Sequence, residues 1–436
     1  MTAPEPKAAD LARGREMHAL AARLFALPRS LTGDGVRATL AALGELVPLT
    51  VVEVPTGTPV LDWTVPKEWN LRRAVLRGPG GEIVADTARR NLEVVGYSVP
   101  VRGRFPLAEL RPRLHSLPDK PDLVPYRTSY WQESWGFCLP HRVLAALPDG
   151  EYEVEIDTTL ADGHLTYGEL LLPGASPAEI LVSCHVCHPA LANDNLSGLA
   201  VSAFLARELA GRERRWSWRF LWAPGTIGAI AWLARNEAVT ARIRAGLVAA
   251  NLGDPGAFHY KRSRRGDTEI DRAVEIALRD LGVPHALEEF VPFGYDERQY
   301  CSPGFDLPVG LLSRTSWGRF PEYHTSADDL DFIRPEALAG SLAVYRAVAG
   351  VLEGNRRFRN LSPKGEPQLG RRGLYRALGG DDRGRERELA LLWVLNQSDG
   401  GPDLLAIARR SGLPFERLRE AAAALAAAGL IAPDPD

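Results

Sequence analysis

Residues 180–198 read ILVSCHVCHPALANDNLSG, and the predicted architecture follows from this stretch. Its first four residues are typical of a strand that is buried on both faces, and the apolar positions from Leu196 onwards have helical spacing. The loop between them carries two histidines and an aspartate. A strand, a polar loop and a helix in this order indicate a βαβ unit, whose sites lie at the C-terminal end of the strand.

The chain on either side of this stretch continues the alternation of strand and helix. Elements in this order predict an α/β domain with a mainly parallel sheet, and we assign residues 1–47 and 165–355 to it. The further predicted elements are strands at 216–223, 247–252, 287–291 and 307–312, and helices at 227 onwards, 268–281 and 335–352.

Two other regions have a different character. Residues 48–164 consist of short β-type segments separated by turns, such as the strictly alternating stretch 151–157, and they predict an inserted all-β domain. Residues 356–370 are polar with two prolines and are typical of a linker. Residues 371–436 contain three short predicted helices and an apolar tail, which predict a winged-helix module.

The charge of this C-terminal module argues against binding to nucleic acid. It carries ten arginines and ten acidic residues, and its last predicted helix, 415–428, is mostly alanine. A helix that reads DNA needs polar side chains that reach the bases and a basic surface. We therefore expect protein contact or homo-oligomerisation through this module, and no nucleic-acid partner.

The composition of the whole chain excludes several classes of protein. The 436 residues carry a net charge of −3, are 45% hydrophobic and 25% charged, and include only four cysteines. A disulfide scaffold, a disordered chain and an electrostatically driven nucleic-acid partner are thereby disfavoured. Residues 1–13 do not resemble a signal peptide, and no run of 18 apolar residues occurs. We expect a cytoplasmic protein with no membrane partner.

The string Cys184-His185-Val186-Cys187-His188 matches the haem-attachment pattern C-x-x-C-H. Haem attachment of this type requires export, for which the sequence gives no signal. A cysteine-based zinc site is also disfavoured, because the only other cysteines are Cys138 and Cys301 and neither has paired spacing. The histidines therefore carry the prediction in this stretch.

Three predicted strand-end loops each offer a candidate metal ligand. His185 ends a strand and Asp194 precedes a helix, Asp254 follows the strand 247–252, and His324 lies in the loop before the helix 335–352. Imidazole and carboxylate groups are zinc ligands, so these side chains together predict a metal site. The alternative is that Asp194 only caps a helix and His185 is an ordinary buried histidine.

The sequence does not distinguish two roles for His188, which could line this site or be an ordinary loop histidine.

These motifs resemble those of the co-catalytic zinc aminopeptidases. Nearly the whole chain resembles a bacterial aminopeptidase-like family, which implies a three-layer α/β domain of zinc aminopeptidase type, an inserted β domain and a C-terminal winged helix. The stretches that carry the closer resemblance are residues 29–31, 62–70, 135–138 and 296–304.

The resemblance implies a pair of zinc ions, which in such enzymes hold the attacking water and the scissile carbonyl. By analogy Asp194 would bridge the two ions, His185 and Asp254 would complete one site, and His324 would serve the other. The implied activity is hydrolysis of an amide or peptide bond in a small or peptide substrate that bears an amino group.

One part of the pattern is missing. The aminopeptidases carry a Glu-Glu pair after the next strand, as general base and metal ligand, but the corresponding residues here are Gly225 and Thr226. A single zinc ion becomes an alternative to a pair, and another group must act as the base. The candidates are Glu322, Asp296 and Glu297, which could instead only orient a ligand histidine.

The sequence therefore predicts a zinc-dependent hydrolase with an aminopeptidase-like fold. The alternatives are a catalytically impaired metal-binding or scaffold protein of the same fold and a winged-helix regulator with a sensory α/β domain.

Overall fold

The computed structural model of the protein describes residues 8–375 and 382–434. Its described residues form two compact units. The larger unit comprises residues 8–266 and 285–343, and the smaller unit comprises 267–284 with the described part of 344–434.

A mixed sheet of eight strands forms the centre of the larger unit, and its middle strands are parallel, as the alternation of strands and helices predicted. The antiparallel strands lie towards both edges. In spatial order the strands are Thr50–Pro55, His164–Leu172, Trp216–Ala223, Ser176–His185, Ile243–Ala249, Val309–Ser313, Phe258–Lys261 and His285–Glu288.

Helices connect the strands of the central sheet. The helix Gly198–Ala210 follows the strand that ends at His185, and ten of its residues are buried because it is apolar on most of its surface. The other described helices of this unit are Ala8–Phe25, Asp34–Gly44, Leu107–Leu110, His141–Ala145, Ile227–Arg235, Glu237–Thr240 and Glu297–Tyr300.

Residues 48–164 contribute a second sheet but do not form a compact unit of their own. Thr50–Pro55, which the sequence placed in the inserted β domain, pairs with His164–Leu172 in the central sheet. The second sheet has four antiparallel strands, in the order Ile83–Asp86, Glu68–Arg77, Glu151–Ala161 and Val101–Pro106. Two short ribbons complete the region, Pro59–Val60 with Trp63–Thr64 and Leu114–His115 with Phe137–Cys138.

The smaller unit contains a three-stranded sheet and packed helices. The helix Glu269–Leu281 begins with a capping box formed by Thr268 and Asp271 and ends at Gly282, whose φ of 64° suits glycine. The strand Arg357–Asn360 lies between the other two strands, so the region predicted as a linker contains part of this sheet. Phe358 is its buried residue, and the exposed arginines beside it gave the stretch its polar composition.

The remaining described elements of the smaller unit are the helices Asp382–Gln397, Leu404–Ser411 and Phe415–Ala427 and the strands Asp399–Asp403 and Ile431–Pro433. A further helix, Pro335–Gly354, runs from the larger into the smaller unit along the chain. Among the described helices it alone is long and apolar enough to cross a membrane. Most of it is buried in the protein, and a buried core helix passes the same test, so it is weak evidence for a membrane span.

A buried arginine lies in the central strand Trp216–Ala223, every residue of which is buried. The Nε atom of Arg219 donates to Glu179 at 2.5 Å, and the guanidinium also pairs with Glu169. Because the side chains of Arg219 and Glu179 are only 7% and 2% exposed, neither charge is well hydrated.

Replacing Arg219 with methionine is expected to lower the free energy of unfolding by about 3–5 kcal/mol, because it leaves Glu169 without this cation and leaves Glu179 with the partly exposed Arg242. Urea denaturation of wild type and variant measures the loss. The matched control is Arg72→Met, whose pair with Asp157 is 69% and 43% exposed, and which is expected to leave the free energy of unfolding nearly unchanged because solvent screens exposed ion pairs. Equal losses in the two variants would contradict the assignment of Arg219 to a buried ion pair.

Candidate metal centre

The candidate site lies where the strand Ser176–His185 ends. His185 is the last residue of that strand, and an irregular turn, Ala192–Ser197, places Asp194 just before the helix Gly198–Ala210. His324 lies in the connection between the strand Val309–Ser313 and the helix Pro335–Gly354. All three side chains are thus on strand-to-helix connections, as the sequence predicted.

Asp194 is fully buried and is the centre of the site. Its Oδ1 atom lies 2.8 Å from His185 Nε2, and its Oδ2 atom lies 3.0 Å from His324 Nε2. His188, which the sequence left open, joins them with its Nδ1 atom 3.4 Å from Asp194 Oδ1. We call these four residues the histidine–aspartate cluster.

A second aspartate holds the turn that presents Asp194. Asp328 accepts backbone N–H bonds from Ala192, Asn193 and Asp194, at 3.1, 2.6 and 3.0 Å. Burial raises the pKa of Asp328 to about 8, although these N–H donors favour its ionised form. Asp328 therefore positions the turn that carries Asp194.

Asp254 lies outside the cluster, and the ligand role that the resemblance implied for it stays a prediction. Its Oδ2 atom accepts a bond from Asn193 Nδ2 at 3.1 Å, and its Oδ1 atom accepts bonds from Thr315 Oγ1 at 2.6 Å and from Gly256 N at 2.8 Å. Both carboxylate oxygens are already occupied by hydrogen bonds. Asp254 thus supports Asn193, the residue next to Asp194.

The three carboxylates predicted as bases have different surroundings. Asp296 is fully buried, lines the cavity beside the cluster, and has no hydrogen-bond partner for either oxygen among the described residues. Glu297 is also buried but pairs with Lys261, and it does not line the cavity. Glu322 is half-buried and is likewise outside the lining. Of these three carboxylates, only Asp296 lines the cavity.

The loop that lacks the Glu-Glu pair also lines this cavity. A β-carbon at Gly225 would lie 3.0 Å from His185 Cβ and 3.4 Å from Asp296 Oδ1. The space that a side chain at position 225 would need is therefore already restricted by His185 and Asp296.

The cavity has a volume of about 370 Å³ and mixes polar and aromatic walls. Trp63 and Trp131 form one wall, with ring centroids 5.6 Å apart and 46% of each side chain exposed. Arg298 also lines the cavity, and its buried Nε atom has no hydrogen-bond partner within the described chain. The cavity thus offers aromatic ring surface and a cation beside the cluster.

The charges of the cluster are strongly coupled. Burial alone would raise the pKa of Asp194, but the adjacent histidines outweigh it and hold this pKa well below its usual range. Burial opposes the charging of His185 and His188, yet Asp194 raises the pKa of both. Burial lowers the pKa of His324 despite its bond to the same carboxylate. The cluster is thus a buried anion surrounded by imidazoles.

The donor set fits a metal ion. Within the described residues, two overlapping groups have ligand atoms that all lie within 4.8 Å of one another: His188, Asp194 and His324, and His185, Cys187 and His188. Imidazole, carboxylate and thiolate are the ligands that zinc uses in proteins. His188 Nδ1 is buried without a hydrogen-bond partner in the described chain, so a ligand atom there is free to bind an ion.

Comparison with known proteins is consistent with this geometry. Residues 18–355 match the family model "Domain of unknown function (DUF4910)", and residues 356–433 match a winged helix-turn-helix model. The latter match begins at residue 356 rather than at the predicted 371, in agreement with the strand Arg357–Asn360.

Relatives cover almost the entire chain. A Clostridium acetobutylicum protein named "Putative polysaccharide biosynthesis protein with aminopeptidase-like domain" is 48% identical over 412 residues, 94% of this chain and 95% of the relative. The crystal structure of a "putative peptidase" from the same organism is 46% identical, with a TM-score of 0.92 over 98% of this chain and 97% of the other.

The fold also extends to more distant structures. The zinc aminopeptidase BSAP from Bacillus subtilis is 12% identical, and its alignment covers 80% of this chain and 95% of that one with a TM-score of 0.56. This likeness confirms the predicted aminopeptidase-like α/β fold, as the match at residues 356–433 confirms the winged helix. The chain belongs to the DUF4910 family, and its aminopeptidase-like fold is followed by a winged helix.

Proposed function

We propose that the protein is a zinc-dependent hydrolase that cleaves an amide or peptide bond in a small substrate bearing an amino group. The observation that carries this proposal is the convergence of His185, His188 and His324 on Asp194 beside the unpaired carboxylate of Asp296. A ligand set and a free carboxylate at one cavity are the two components that metal-assisted hydrolysis requires.

The histidine–aspartate cluster would hold one zinc ion or two. Bound zinc supplies Lewis-acid activation of an amide carbonyl and of water. Asp194 presents one oxygen to His185 and the other to His324, so its carboxylate can be shared between neighbouring positions. His188 Nδ1 provides a further buried nitrogen on the same side.

Asp296 takes the role of the proton acceptor that the missing glutamate would have had. Burial raises the pKa of Asp296 to about 7, although His185 and Arg298 partly oppose this rise. A carboxylate with a pKa near neutrality can accept a proton from water and return it to the leaving amine. Its position next to Gly225 brings it close to the place where the Glu-Glu pair would stand.

The cavity wall supports a substrate with a flat group. Trp63 and Trp131 present ring surface beside the cluster, and Arg298 offers a positive charge. Exposed aromatic rings bind flat apolar faces, including those of sugars and aromatic side chains. The name of the 48%-identical relative refers to polysaccharide biosynthesis, which adds N-acylated amino sugars to the substrates worth testing.

The test combines metal analysis with a hydrolysis panel. Purified protein is expected to contain zinc and to hydrolyse at least one member of a panel of aminoacyl arylamides, dipeptides and N-acylated amino sugars. His324→Ala is expected to abolish the activity, because it removes a proposed zinc ligand whose Nε2 atom lies 3.0 Å from Asp194 Oδ2. The control is His141→Ala, whose ring bonds Ser116 Oγ at 2.9 Å and does not line the cavity. A zinc-free protein, or equal activity in both variants, would refute the proposal.

The second candidate function is a catalytically impaired metal-binding protein. The observation that favours it is the replacement of both glutamates by Gly225 and Thr226. Zinc bound at the cluster together with an inert panel would support this alternative over the hydrolase.

A further inference from the structure

The loop after the strand Trp216–Ala223 has no side chain that could bind an ion from position 225. A β-carbon there would lie 3.0 Å from His185 Cβ, inside ordinary contact distance. A metal ion beside His185 therefore needs a ligand atom from another residue near His185.

Cys187 is the residue that can supply this ligand atom. Its side chain is 4% exposed and lines the cavity together with Gly225. The Sγ atom lies within 4.8 Å of ligand nitrogens of both His185 and His188. The sulfur thus lines the same cavity as the residue that replaces a glutamate, and it lies near both imidazoles.

Two further side chains indicate independently that this cavity holds a bound group. Asp296 is completely buried and neither of its oxygens has a hydrogen-bond partner in the described chain. His188 is 8% exposed, and its Nδ1 atom also has none. A buried polar atom without a partner costs about 1–3 kcal/mol or more, so several of them around one cavity indicate a bound group that satisfies them.

We propose that Cys187 is a thiolate ligand of the metal centre and takes the place of the carboxylate that is missing at Gly225. Formation of the metal–sulfur bond releases the thiol proton to the solvent. A thiolate makes the site softer than an all-oxygen and nitrogen site, so it favours zinc, cobalt and cadmium over manganese and magnesium. This inference rests on the proposed metal centre but not on hydrolysis.

The experiment uses cobalt as a spectroscopic probe in the full-length protein. Metal-free protein is titrated with Co²⁺, and the near-ultraviolet thiolate-to-cobalt charge-transfer band is recorded together with the visible d–d bands. Wild type is expected to give both. Cys187→Ser is expected to lose the charge-transfer band and to weaken zinc binding by more than the ~10–100-fold that loss of a ligand's hydrogen-bond partner costs.

Cys184→Ser is the matched control, because Cys184 is equally buried on the same segment but does not line the cavity. Its Sγ atom instead accepts a bond from Asn195 Nδ2 at 3.2 Å. The charge-transfer band is expected to survive in this variant. Cys187→Asp keeps an anionic ligand, so it is expected to bind cobalt with the d–d bands alone, which separates loss of the ligand from loss of the fold.

The outcomes distinguish the two proposals. A zinc-containing, active wild type whose cobalt form has no charge-transfer band, or a band that persists in Cys187→Ser, overturns the thiolate ligand and leaves the hydrolase standing. A wild type that binds neither zinc nor cobalt overturns both. A thiolate band without hydrolysis supports the ligand and rejects only the hydrolase.

Discussion

Replacing Asp194 with asparagine is expected to eliminate the stabilisation that zinc gives to the protein. At a zinc concentration of about 100 times Kd, wild type should gain about 2.7 kcal/mol of unfolding free energy, and the variant should gain none. Asp194 is the residue that touches all three histidines, and an amide at this position cannot supply the second anionic oxygen. Denaturant unfolding with and without zinc measures the difference, and hydrolysis should fall to background.

Asp254→Asn is the matched control for this loss. Its carboxylate bonds Asn193, Thr315 and Gly256, so the change weakens the support of the turn but leaves the ligands in place. We expect the zinc-dependent gain in stability to remain, even if the metal-free protein is less stable. Loss of that gain in Asp254→Asn alone would restore the ligand role implied by the resemblance and contradict the geometry of the cluster.

The α/β architecture could be predicted because its signals are local. The fully buried strand Trp216–Ala223 is a run of mostly apolar residues, and the helix Glu269–Leu281 is bounded by a capping box and a glycine. The strand Arg357–Asn360 could not be predicted, since only Phe358 is buried and its flanking arginines are exposed. Pairing with distant strands, which the local sequence does not encode, determines its structure.

The candidate site was partly predictable for a similar reason. Strand ends of a parallel sheet meet at one edge, so His185 and His324 could be expected near Asp194. That rule predicts which loops lie close together, but it does not predict the orientation of each side chain or which oxygen of a carboxylate is free. Asp254 follows a strand as expected but is turned towards Asn193 and Thr315.

Two members of the site, His188 and Cys187, had a signal in the sequence that was not decisive. Both lie within three residues of His185, but short loops have many conformations and the cysteine spacing matched other motifs. The decisive observation is that Cys187 Sγ lies within 4.8 Å of ligand nitrogens of His185 and His188 and lines one cavity with Gly225, which belongs to a segment far away in the chain. Contacts of this kind depend on the packing of two strand ends and are not encoded in either segment alone.

Replacing Asp296 with asparagine is expected to reduce hydrolysis by about 10²–10⁴-fold while zinc binding is retained. The Asp296 carboxylate lines the cavity and has no hydrogen-bond partner among the described residues. Asparagine has nearly the same shape, so the substitution keeps the packing and removes only the proton acceptor. Steady-state kinetics and the zinc-dependent gain in stability are measured on the same samples. Glu297→Gln tests the neighbouring candidate: its carboxylate pairs with Lys261, and activity per folded molecule should stay near that of wild type.

The pH dependence of stability gives a second and independent measure of Asp296. Burial raises its pKa from 3.8 to about 7 in the folded protein, so between these values the native state keeps a proton that the unfolded chain has lost. In chelator-treated wild type this carboxyl therefore contributes stability that is fully present below about pH 4 and declines as the pH rises to about 7. Asp296→Asn lacks this decline, so the unfolding free energy of the variant minus that of wild type should increase across the same window. A difference that is flat with pH would show that Asp296 is not the strained, proton-accepting carboxyl on which the hydrolytic role depends.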